Sequence, residues 1–516
     1  MYWCKIATTD HEFNEIAALT YETFVEEIPQ HKPNKEKRLV DRFHHENTYV
    51  VVYKHSELVG MVTFRDQRPF SLDEKIGEIE QFISPEQCEK LCELRLLAVK
   101  KEHRNGRVLM RLMKALYAYF FHENYSACVI SGTTRQEKLY KQIGFTQFAT
   151  AFGTEEAKYL PMVLTKEKIH SFKKRLLDER YTFYPGPVLQ QGPLGLTNLS
   201  HRSPEFSDLY DTMIHQLLLL SGARNVTTLV GSGTLANEAM LGQLKSDFNN
   251  DVGIIISNGE FGERLASQAQ AWQLQFQKIS YAWGEPFQLK NIKSLLEDGQ
   301  YKWLLFVHGE TSTGTINPIN ELAKYCRENY VKLCADCISS FGSKPFSMDE
   351  LYLATAVSGK AIGALSGLSF VFSNETFLYS NAPRYLNLPY YNKGEIPFTI
   401  PAYLVQNVAR ALLAYPQRYQ ELENRMNQLL SSDLFHRHGI KTSHYPMIAT
   451  LQCNPKFSRD AKLNGLFLHD ESNYLKRNMY TQISVIGPDF TEAFKKLQQY
   501  YDQYLKVLQK SEQYLG

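Results

Sequence analysis

The sequence is poor in the features that mark secreted, membrane-spanning and polyanion-binding proteins. Only eight cysteines occur in 516 residues, and their spacing gives neither a disulfide framework nor two matched pairs for a zinc site. No apolar run reaches the ~18 residues of a membrane span, and no basic segment followed by an apolar core opens the chain. The 57 Lys and Arg against 55 Asp and Glu leave a net charge of +2, which gives no general attraction to nucleic acid or membranes. We therefore expect a cytoplasmic protein with reduced thiols and no nucleic-acid, membrane or metal partner.

The distribution of apolar, charged, glycine and proline residues along the chain predicts a division into four segments. Residues 1–165 contain a strand (ELRLLAV), a turn, a buried helix and a second strand (SACVIS), which form a βαβ unit. The charged run 166–180 predicts a helical connector. In 181–401, Gly- and Pro-punctuated strand-like runs alternate with helices, which is typical of a mostly parallel sheet covered on both faces. The remaining segment, 402–516, predicts a small C-terminal α/β subdomain.

Three features of the large domain point to one kind of chemistry. The turn GSGT, residues 231–234, follows an apolar strand and precedes a helix, so its backbone N–H groups suit a phosphate. The alternative reading is a plain strand-to-helix connection capped by Thr234. Asp336 ends an apolar strand, and Lys360 is a lone ammonium between two apolar runs. A phosphate cradle, a buried acid and a desolvated lysine, in this order, match the needs of pyridoxal phosphate.

Six blocks of the large domain resemble the signatures of class V, fold-type I aminotransferases. They are HRSPEF (201–206), GSGT (231–234), NGEFGER (258–264), HGETSTG (308–314), ADCISSFG (335–342) and SGKA (358–361). Within that class they look closest to the 2-aminoethylphosphonate:pyruvate and alanine:glyoxylate branches. The resemblance implies a fold with a seven-stranded type of sheet and pyridoxal 5'-phosphate as cofactor.

The resemblance also implies roles for individual residues. Lys360 is the Schiff-base lysine and proton-shuttling base, and Asp336 is the partner of the pyridine nitrogen. Cofactor-binding roles fall on Ser232, Gly233 and Thr234 for the phosphate, Phe261 for ring stacking, Thr311 for the ring hydroxyl, and Thr399 for the partner subunit's phosphate. The last role predicts a homodimer with shared active sites.

One expected residue is missing. Relatives place an arginine near the end of the chain that forks onto the substrate carboxylate, whereas the matching segment MYTQISVIG has Gln482 there. Either Arg202 or Arg384 substitutes, or the substrate is not a typical amino acid, or the divergent C-terminal segment aligns differently. The same departure keeps open a pyridoxal-phosphate lyase, decarboxylase or racemase.

The N-terminal segment resembles the GNAT acyltransferases over about its first 165 residues, through the βαβ unit and the later motif KLYKQIGFTQF. The resemblance implies a pyrophosphate site for acyl-CoA or an acyl-carrier thioester, with Glu93 as candidate base and Tyr140 as general acid. The loop that would line the pyrophosphate comprises Val99, Arg104, Asn105, Gly106, Arg107 and Val108. It departs from the family's glycine spacing, so either an active N-acyltransferase or a silent binding or dimerisation module is compatible with it.

These readings combine into a bifunctional enzyme. A class V transaminase would move an amino group between an amino acid or aminophosphonate-like donor and a small 2-oxo acid such as pyruvate or glyoxylate, and the N-terminal domain would acylate an amine. The alternatives are a different pyridoxal-phosphate chemistry beside a silent N-terminal module, and a regulatory protein, which the lack of a helix-turn-helix pattern or basic stripe disfavours. The sequence does not identify the donor, acceptor or acyl group, because pocket shape depends on side chains that converge only in the fold.

Overall fold

The computed structural model of the chain describes residues 2–28, 30–154, 158–169, 181–185, 199–391, 396–440 and 445–513. The chain forms two compact units. The first comprises Met1–Tyr181, Pro455–Phe467 and Lys495–Gly516, and the second comprises Thr182–Asn454 and Leu468–Phe494. The predicted 402–516 segment is thus divided between the units, and 170–180 of the predicted connector lies outside the described residues.

The first unit is built on an eight-stranded sheet with the order β1-β2-β3-β4-β5-β8-β6, in which β7 pairs with β8. Its strands are β1 Tyr2–Ile6, β2 Thr48–Lys54, β3 Glu57–Arg65, β4 Leu91–Val99, β5 Ala127–Thr133, β6 Thr146–Gln147, β7 Phe152–Gly153 and β8 Lys158–Thr165. Its first helices are α1 Asp10–Tyr21, which continues as a π-helical segment Glu22–Glu27, α2 Asp73–Ile76, α3 Pro85–Cys88, α4 Arg107–His122 and α5 Glu137–Ile143.

The predicted βαβ unit is β4, α4 and β5. The two strands are parallel but pair only from Leu91 to Glu93 on β4 and from Ala127 to Val129 on β5. Beyond those residues the strands diverge, and Leu96 of β4 has a positive φ of 49°, which is strained backbone for a side chain of this size. The sheet therefore opens as a wedge between β4 and β5.

The second unit is built on a seven-stranded sheet with the order β10-β18-β17-β16-β13-β11-β12. Its strands are β10 Asn225–Val230, β11 Val252–Ser257, β12 Gln275–Ser280, β13 Tyr301–Val307, β16 Lys332–Asp336, β17 Leu353–Val357 and β18 Leu368–Ser373. Only β18 runs antiparallel to its neighbours β10 and β17. The mostly parallel sheet expected from the sequence is confirmed.

Helices cover both faces of this sheet because its strands are apolar on both sides. On β11, Ile254 and Ile256 pack into one buried cluster, while Ile255 between them packs into another. Alternate residues of a strand point to opposite faces, so the two clusters are the two sides of the sheet. The helices of this region are α6 Pro204–Ser221, α7 Gly233–Asp247, α8 Glu260–Ala271, α9 Leu289–Glu297 and α10 Ile319–Glu328.

The remaining elements belong to the last third of the chain and to short hairpins. The short strands are β9 Tyr181–Thr182, β14 Gly309–Glu310, β15 Thr315–Ile316, β19 Ile448–Leu451, β20 Leu466–Phe467 and β21 Thr481–Ser484. The helices are α11 Ala402–Leu413, α12 Tyr415–Leu430, α13 Asp433–His438, α14 Pro455–Leu463, α15 Asn473–Asn478 and α16 Phe490–Gln513. Among the described residues, none of these helices combines the length and apolarity needed to cross a bilayer.

Candidate functional site

The second unit has a cavity of about 150 Å³ at the carboxyl ends of its parallel strands. It brings together residues that lie far apart in the sequence. Six of the predicted site residues line it: Gly233, Thr234, Phe261, Thr311, Asp336 and Lys360. This is the edge at which open α/β sheets bind their ligands.

Asp336 lies at the end of β16 and is only 6% exposed. Its carboxylate accepts hydrogen bonds from Asn237 Nδ2 at 2.7 Å and from the Ile338 backbone N–H at 2.9 Å. Asn237 is itself held by the Thr355 hydroxyl, which donates to Asn237 Oδ1 at 2.8 Å. Burial raises the pKa of Asp336, and these hydrogen bonds and the nearby charge of Lys360 oppose that rise. The fixed carboxylate therefore suits a proton-donating or cationic partner.

Lys360 contributes the amine of the cavity. Burial lowers the pKa of Lys360, while the carboxylates of Asp336 and Glu310 act in the opposite direction. Lowering the pKa of an ammonium increases the fraction present as neutral amine, which is the nucleophilic form. The Nζ atom lies 5.8 Å from the centre of the Phe261 ring, so an amine and an aromatic face border the same space.

The glycine turn places the N-terminus of α7 at the cavity. Ser232 precedes the helix and makes no side-chain capping hydrogen bond, so first-turn N–H groups remain directed outward. A Cβ on Gly233 would lie 2.6 Å from the Ile338 side chain. Glycine therefore lets the turn pass this close to the cavity wall, where the first-turn N–H groups suit an anion.

Glu310 is a buried carboxylate that sequence reasoning left without a role, although it lies inside the HGETSTG block. Its Oε2 accepts from the backbone N–H groups of Phe261 at 3.1 Å and Gly262 at 3.0 Å, and its Oε1 accepts from the N–H of Ser312 at 3.1 Å. A Cβ on Gly259 would lie 2.5 Å from the Glu310 side chain. Burial raises the pKa of Glu310 to about 7. Glu310 thus joins the start of α8, and with it the Phe261 ring, to the strand that precedes Thr311.

The three residues predicted to bind substrate do not line the cavity. Arg202 and Arg384 are exposed, and Arg384 lies over the Tyr390 ring at 5.2 Å. Gln482 is fully buried on β21, where its Nε2 donates to the carbonyls of Thr311 at 2.8 Å and Ser312 at 3.2 Å.

Arg264 is the arginine that lines this cavity among the described residues, and the sequence did not single it out although it ends the NGEFGER block. Its guanidinium carbon lies 5.0 Å from the centre of the Phe261 ring. No ion pair or hydrogen bond to its side chain is present among the described residues. Thr399, in contrast, is exposed and does not line the cavity, so its assignment to a partner subunit's phosphate stays a prediction.

The chemistry of this donor set fits pyridoxal phosphate. Lys360 offers the amine, Asp336 faces the space as a buried acid, Phe261 offers an apolar ring face, and the α7 N-terminus offers N–H groups for the phosphate. Any side chain at position 233 would meet the Ile338 side chain. These are the residues that would hold the cofactor.

The first unit has a separate cavity of about 250 Å³ in the wedge between β4 and β5. Glu93 and Tyr140, the predicted acid–base pair, both line it. Glu93 is fully buried and accepts from the Ser71 hydroxyl at 2.6 Å and from the Ser71 and Leu72 N–H groups at 3.0 Å. Ser71 lines the cavity as well, so its hydroxyl connects Glu93 with the open space.

In the predicted pyrophosphate loop, the Arg104 side chain already has partners within the chain. Its guanidinium donates to the Val99 carbonyl at 2.9 Å and to Glu27. Val108 is fully buried in the core of the unit. Gly106 has φ 82° and directly precedes α4.

The other loop residues border a surface hollow of about 370 Å³, lined by Tyr2, Asn105, Gly106, Arg107, Met110, Arg111 and Lys114. Arg107, Arg111 and Lys114 recur at helical spacing on α4, so three cations share this face. The positive charge that was predicted for the loop is therefore found on the side chains of α4, which follow Arg104 in the sequence.

The two cysteines of the CxxC sequence are structural in character. Cys334 and Cys337 are both fully buried and both free. Burial raises the pKa of each thiol well above its usual range, so the reactive thiolate form is disfavoured.

Comparison of the sequence with known proteins finds a family match for each of two segments. A family model described as N-acyl amino acid synthase FeeM matches residues 15–166, and one described as Aminotransferase class-V matches residues 194–386. The 2-aminoethylphosphonate–pyruvate transaminase of Pseudomonas putida (strain W619) is 27% identical over 347 residues, covering 60% of this chain and 93% of the relative. The enzyme of the same name from Pseudomonas entomophila (strain L48) is 30% identical over 247 residues, covering 44% of this chain and 67% of the relative.

Comparison with solved structures supports the fold of the second unit. The ureidoglycine–glyoxylate aminotransferase of Bacillus subtilis aligns with a TM-score of 0.56 at 18% identity, covering 64% of this chain and 93% of that chain. An aspartate aminotransferase of Thermus thermophilus aligns with a TM-score of 0.54 at 22% identity, covering 63% and 98%. At these identities the similarity shows a shared fold.

Proposed function

The chain belongs to the class V aminotransferases, and from this premise we propose that it is a bifunctional enzyme that transaminates a small amine and acylates an amine in its N-terminal domain. The observation that carries the first activity is the meeting of Lys360, Asp336, Phe261 and the α7 N-terminus in one cavity. The relatives named 2-aminoethylphosphonate–pyruvate transaminase suggest the substrates. The proposed substrates are an amino acid or aminophosphonate as donor and a small 2-oxo acid as acceptor.

When bound, pyridoxal phosphate supplies the carbonyl that receives the amino group and a ring that withdraws electrons. The chain's own residues then hold and move protons. Asp336 keeps a proton on the pyridine nitrogen, because an unpaired buried carboxylate is costly and a cationic N–H beside it removes that cost. Lys360 Nζ takes a proton from one carbon and returns it to another, which requires the neutral amine that its lowered pKa favours. Thr311, which is buried and lines the cavity, would approach the ring hydroxyl.

Arg264 is the residue that we assign to the acid group of the transamination substrate. It is the arginine among the cavity-lining residues, and it makes no ion pair with a carboxylate of the described chain. A guanidinium binds carboxylate and phosphonate in the same forked geometry. Arg264 can therefore supply the function that relatives place on the arginine missing at position 482.

For the N-terminal domain we propose transfer of an acyl group from a thioester, of coenzyme A or of an acyl carrier, to a primary amine. The amine nitrogen bonds to the thioester carbonyl carbon, the carbon–sulfur bond breaks, and the thiolate leaves. Tyr140 donates the proton that the thiolate takes up, and the proton lost by the amine passes to Glu93 through the Ser71 hydroxyl. The apolar part of the wedge, which includes Leu116 and Ile130, is suited to the acyl chain.

Absorption spectroscopy of the purified protein tests the first activity. We expect a band from the lysine-bound cofactor that Lys360→Ala abolishes, and a spectral change when 2-aminoethylphosphonate or L-alanine is added without any acceptor. A later addition of pyruvate or glyoxylate should restore the first spectrum. A lyase or decarboxylase would release product without needing the acceptor, and that result would replace transamination with the other chemistry.

Thiol release from acyl-CoA in the presence of amines tests the second activity, with acyl-carrier thioesters as the second donor class. Dependence on Tyr140 separates enzymatic acyl transfer from slow chemical aminolysis. Lack of release with both donor classes would favour a silent binding module.

We also propose a cytoplasmic homodimer in which Thr399, exposed in the single chain, reaches the partner subunit's phosphate. Sedimentation of the wild type and a cofactor titration of Thr399→Ala would test this. A monomer with unchanged cofactor affinity in the variant would refute it.

A further inference from the structure

The loop between β17 and β18, residues 358–367, carries Lys360. Inside this loop the Gly363 N–H donates to the Lys360 carbonyl at 2.9 Å, which closes a tight turn at the lysine. The lysine side chain is long, so a small displacement of this turn moves its amine. The place of Lys360 Nζ in the cavity therefore depends on the contacts that hold the turn.

Arg418, in the first turn of α12, binds this turn from outside the loop. Its Nε donates to the Ala361 carbonyl at 2.9 Å, one residue beyond Lys360. Gly363 has a positive φ of 81°, and a Cβ there would lie 2.6 Å from Arg418 Cζ. The guanidinium therefore packs directly against the backbone of the turn and also hydrogen-bonds to it.

The same guanidinium binds a second segment of the cavity framework. Arg418 Nη2 donates to the Ile486 carbonyl at 3.2 Å, two residues after β21. On β21, the Gln482 amide donates to the carbonyl of Thr311, which lines the cavity. A planar guanidinium offers several donors in a fixed arrangement. Arg418 thus joins the Lys360 turn to backbone that is itself tied to Thr311.

Tyr415, three residues earlier on α12, makes a similar contact with the loop that follows Asp336. Its hydroxyl donates to the Gly342 carbonyl at 2.9 Å. A Cβ on Gly342 would lie 3.3 Å from both the Tyr415 ring and the Ile362 backbone nitrogen. The start of α12 therefore contacts the loop after the acid and the loop of Lys360, where the two loops meet.

Arg418 keeps its charge in half-buried surroundings. Burial and the charge of Arg425 lower the pKa of Arg418, and Glu421 opposes them. Glu421 makes its ion pair with Arg425, at 3.6 Å, whereas Arg418 donates to carbonyl oxygens. Ala361 is buried, so loss of Arg418 would take a charged donor from its carbonyl, which costs more than loss of a neutral one.

We propose that Arg418 is a positioning residue of the transamination site, which sets the place of Lys360 Nζ by holding the turn at Ala361 and Gly363. The inference rests on the proposed transamination and adds a residue that does not line the cavity. Arg418 acts through the backbone of the turn. Its loss should therefore impair bonding to Lys360 and spare the binding that needs only the phosphate cradle and the Phe261 ring.

Binding of two cofactor forms to the full chain tests this role. The aldehyde of pyridoxal phosphate condenses with the Lys360 amine and releases water, whereas pyridoxamine phosphate carries an amine there and cannot bond to the lysine. We expect Arg418→Met to weaken pyridoxal phosphate about 10- to 100-fold, the scale of a lost hydrogen bond to a charged group. Pyridoxamine phosphate should bind as it does to the wild type, which also shows that the variant is folded. Arg418→Lys should recover part of the loss, because it keeps the charge and one donor.

Arg425→Met is the matched control. Arg425 is half-buried on the same helix, and its Nη1 donates to the Val485 and Gly487 carbonyls at 3.2 and 2.9 Å. Within the described part of the chain it has no hydrogen bond to the loop of Lys360. The control should therefore lower the unfolding free energy, as Arg418→Met does, and leave the affinities for both cofactor forms unchanged.

The outcomes separate the positioning role from the proposed transamination. Equal weakening of both cofactor forms by Arg418→Met would assign Arg418 to general stability and overturn the proposal. A lysine-bound band in the wild type, with a pyridoxal phosphate affinity that is insensitive to Arg418→Met, would overturn the positioning role and leave transamination standing. A wild type that forms no such band would refute both.

Discussion

Replacing Glu310 by glutamine tests whether the buried carboxylate that supports the cofactor site lowers the unfolding free energy as pH rises. Burial raises the pKa of Glu310 from 4.5 to about 7. Between those two pH values the folded state keeps a proton that the unfolded state has lost. Because the folded state then binds more protons, stability falls as pH rises through this interval. A pKa difference of this size between the folded and unfolded states corresponds to about 3 kcal/mol of unfolding free energy when the whole interval is crossed.

Glutamine cannot ionise, so the variant lacks this pH dependence. It also loses two of the acceptor contacts, because one oxygen becomes an NH₂ group that faces either the Phe261 and Gly262 N–H groups or the N–H and hydroxyl of Ser312. We expect Glu310→Gln to be less stable than the wild type at pH 5 and to regain roughly 2 to 3 kcal/mol relative to it between pH 5 and pH 8. The measurement is the unfolding midpoint of both proteins at the two pH values, since contributions from all other groups cancel in the difference.

Glu263→Gln is the control, because Glu263 lies on the same helix but pairs with Lys278 at 2.8 Å. Burial raises its pKa, but hydrogen bonds from Lys278 and neighbouring hydroxyls together with the Lys278 charge outweigh burial, so the pKa is lowered overall. The stability that it contributes is therefore present above pH 4.5 and is lost as pH falls, so the control should deviate in the opposite direction, and weakly, because the pair is exposed. A wild-type minus Glu310→Gln difference that is the same at pH 5 and pH 8 would refute the reasoning.

Three further substitutions test the two sites. Lys360→Ala should abolish the absorption band of the lysine-bound cofactor, and a retained band would contradict its role. The unfolding free energy of the cofactor-free protein should change by no more than about 1 kcal/mol, because the substitution removes a desolvated ammonium and no packed apolar group. Gly233→Val should weaken cofactor binding at least about 10-fold, since its Cβ would lie 2.6 Å from Ile338, and equilibrium dialysis measures it. Tyr140→Phe should slow thiol release about 10²- to 10⁴-fold at saturating thioester with little change in thioester affinity, and an unchanged rate would remove it as the acid.

The sequence predicted the parts of the protein that depend on local pattern. About a dozen residues of sequence are enough to predict each of three features, and the cavity brings them together. They are the strand, glycine turn and helix around Gly233, the acid that ends β16 and the lysine that follows β17. The seven-stranded sheet follows from strands that are apolar on both faces. These features need no knowledge of distant contacts.

What the sequence did not predict depends on long-range pairing of polar groups. Arg104 contacts Glu27, 77 residues away in sequence, and nothing in the loop itself indicates that partner. Glu310 lies among polar neighbours in a block that drew attention to Thr311, whereas its importance comes from the helix start at Phe261, 49 residues away. The assignment of residues 455–467 and 495–516 to the first unit likewise rests on packing that no local periodicity encodes.

Gln482 shows why position alone does not transfer a role. A substrate carboxylate needs donors, and the Gln482 amide already directs its N–H groups to the Thr311 and Ser312 carbonyls and to the Thr450 hydroxyl, 3.1 Å away. The remaining polar atom, Oε1, is an acceptor that is buried without a hydrogen-bond partner among the described residues, and an acceptor repels a carboxylate. Gln482 thus holds the backbone at Thr311 and Ser312. Binding of an acid group requires a cation inside the cavity, and Arg264 lies there.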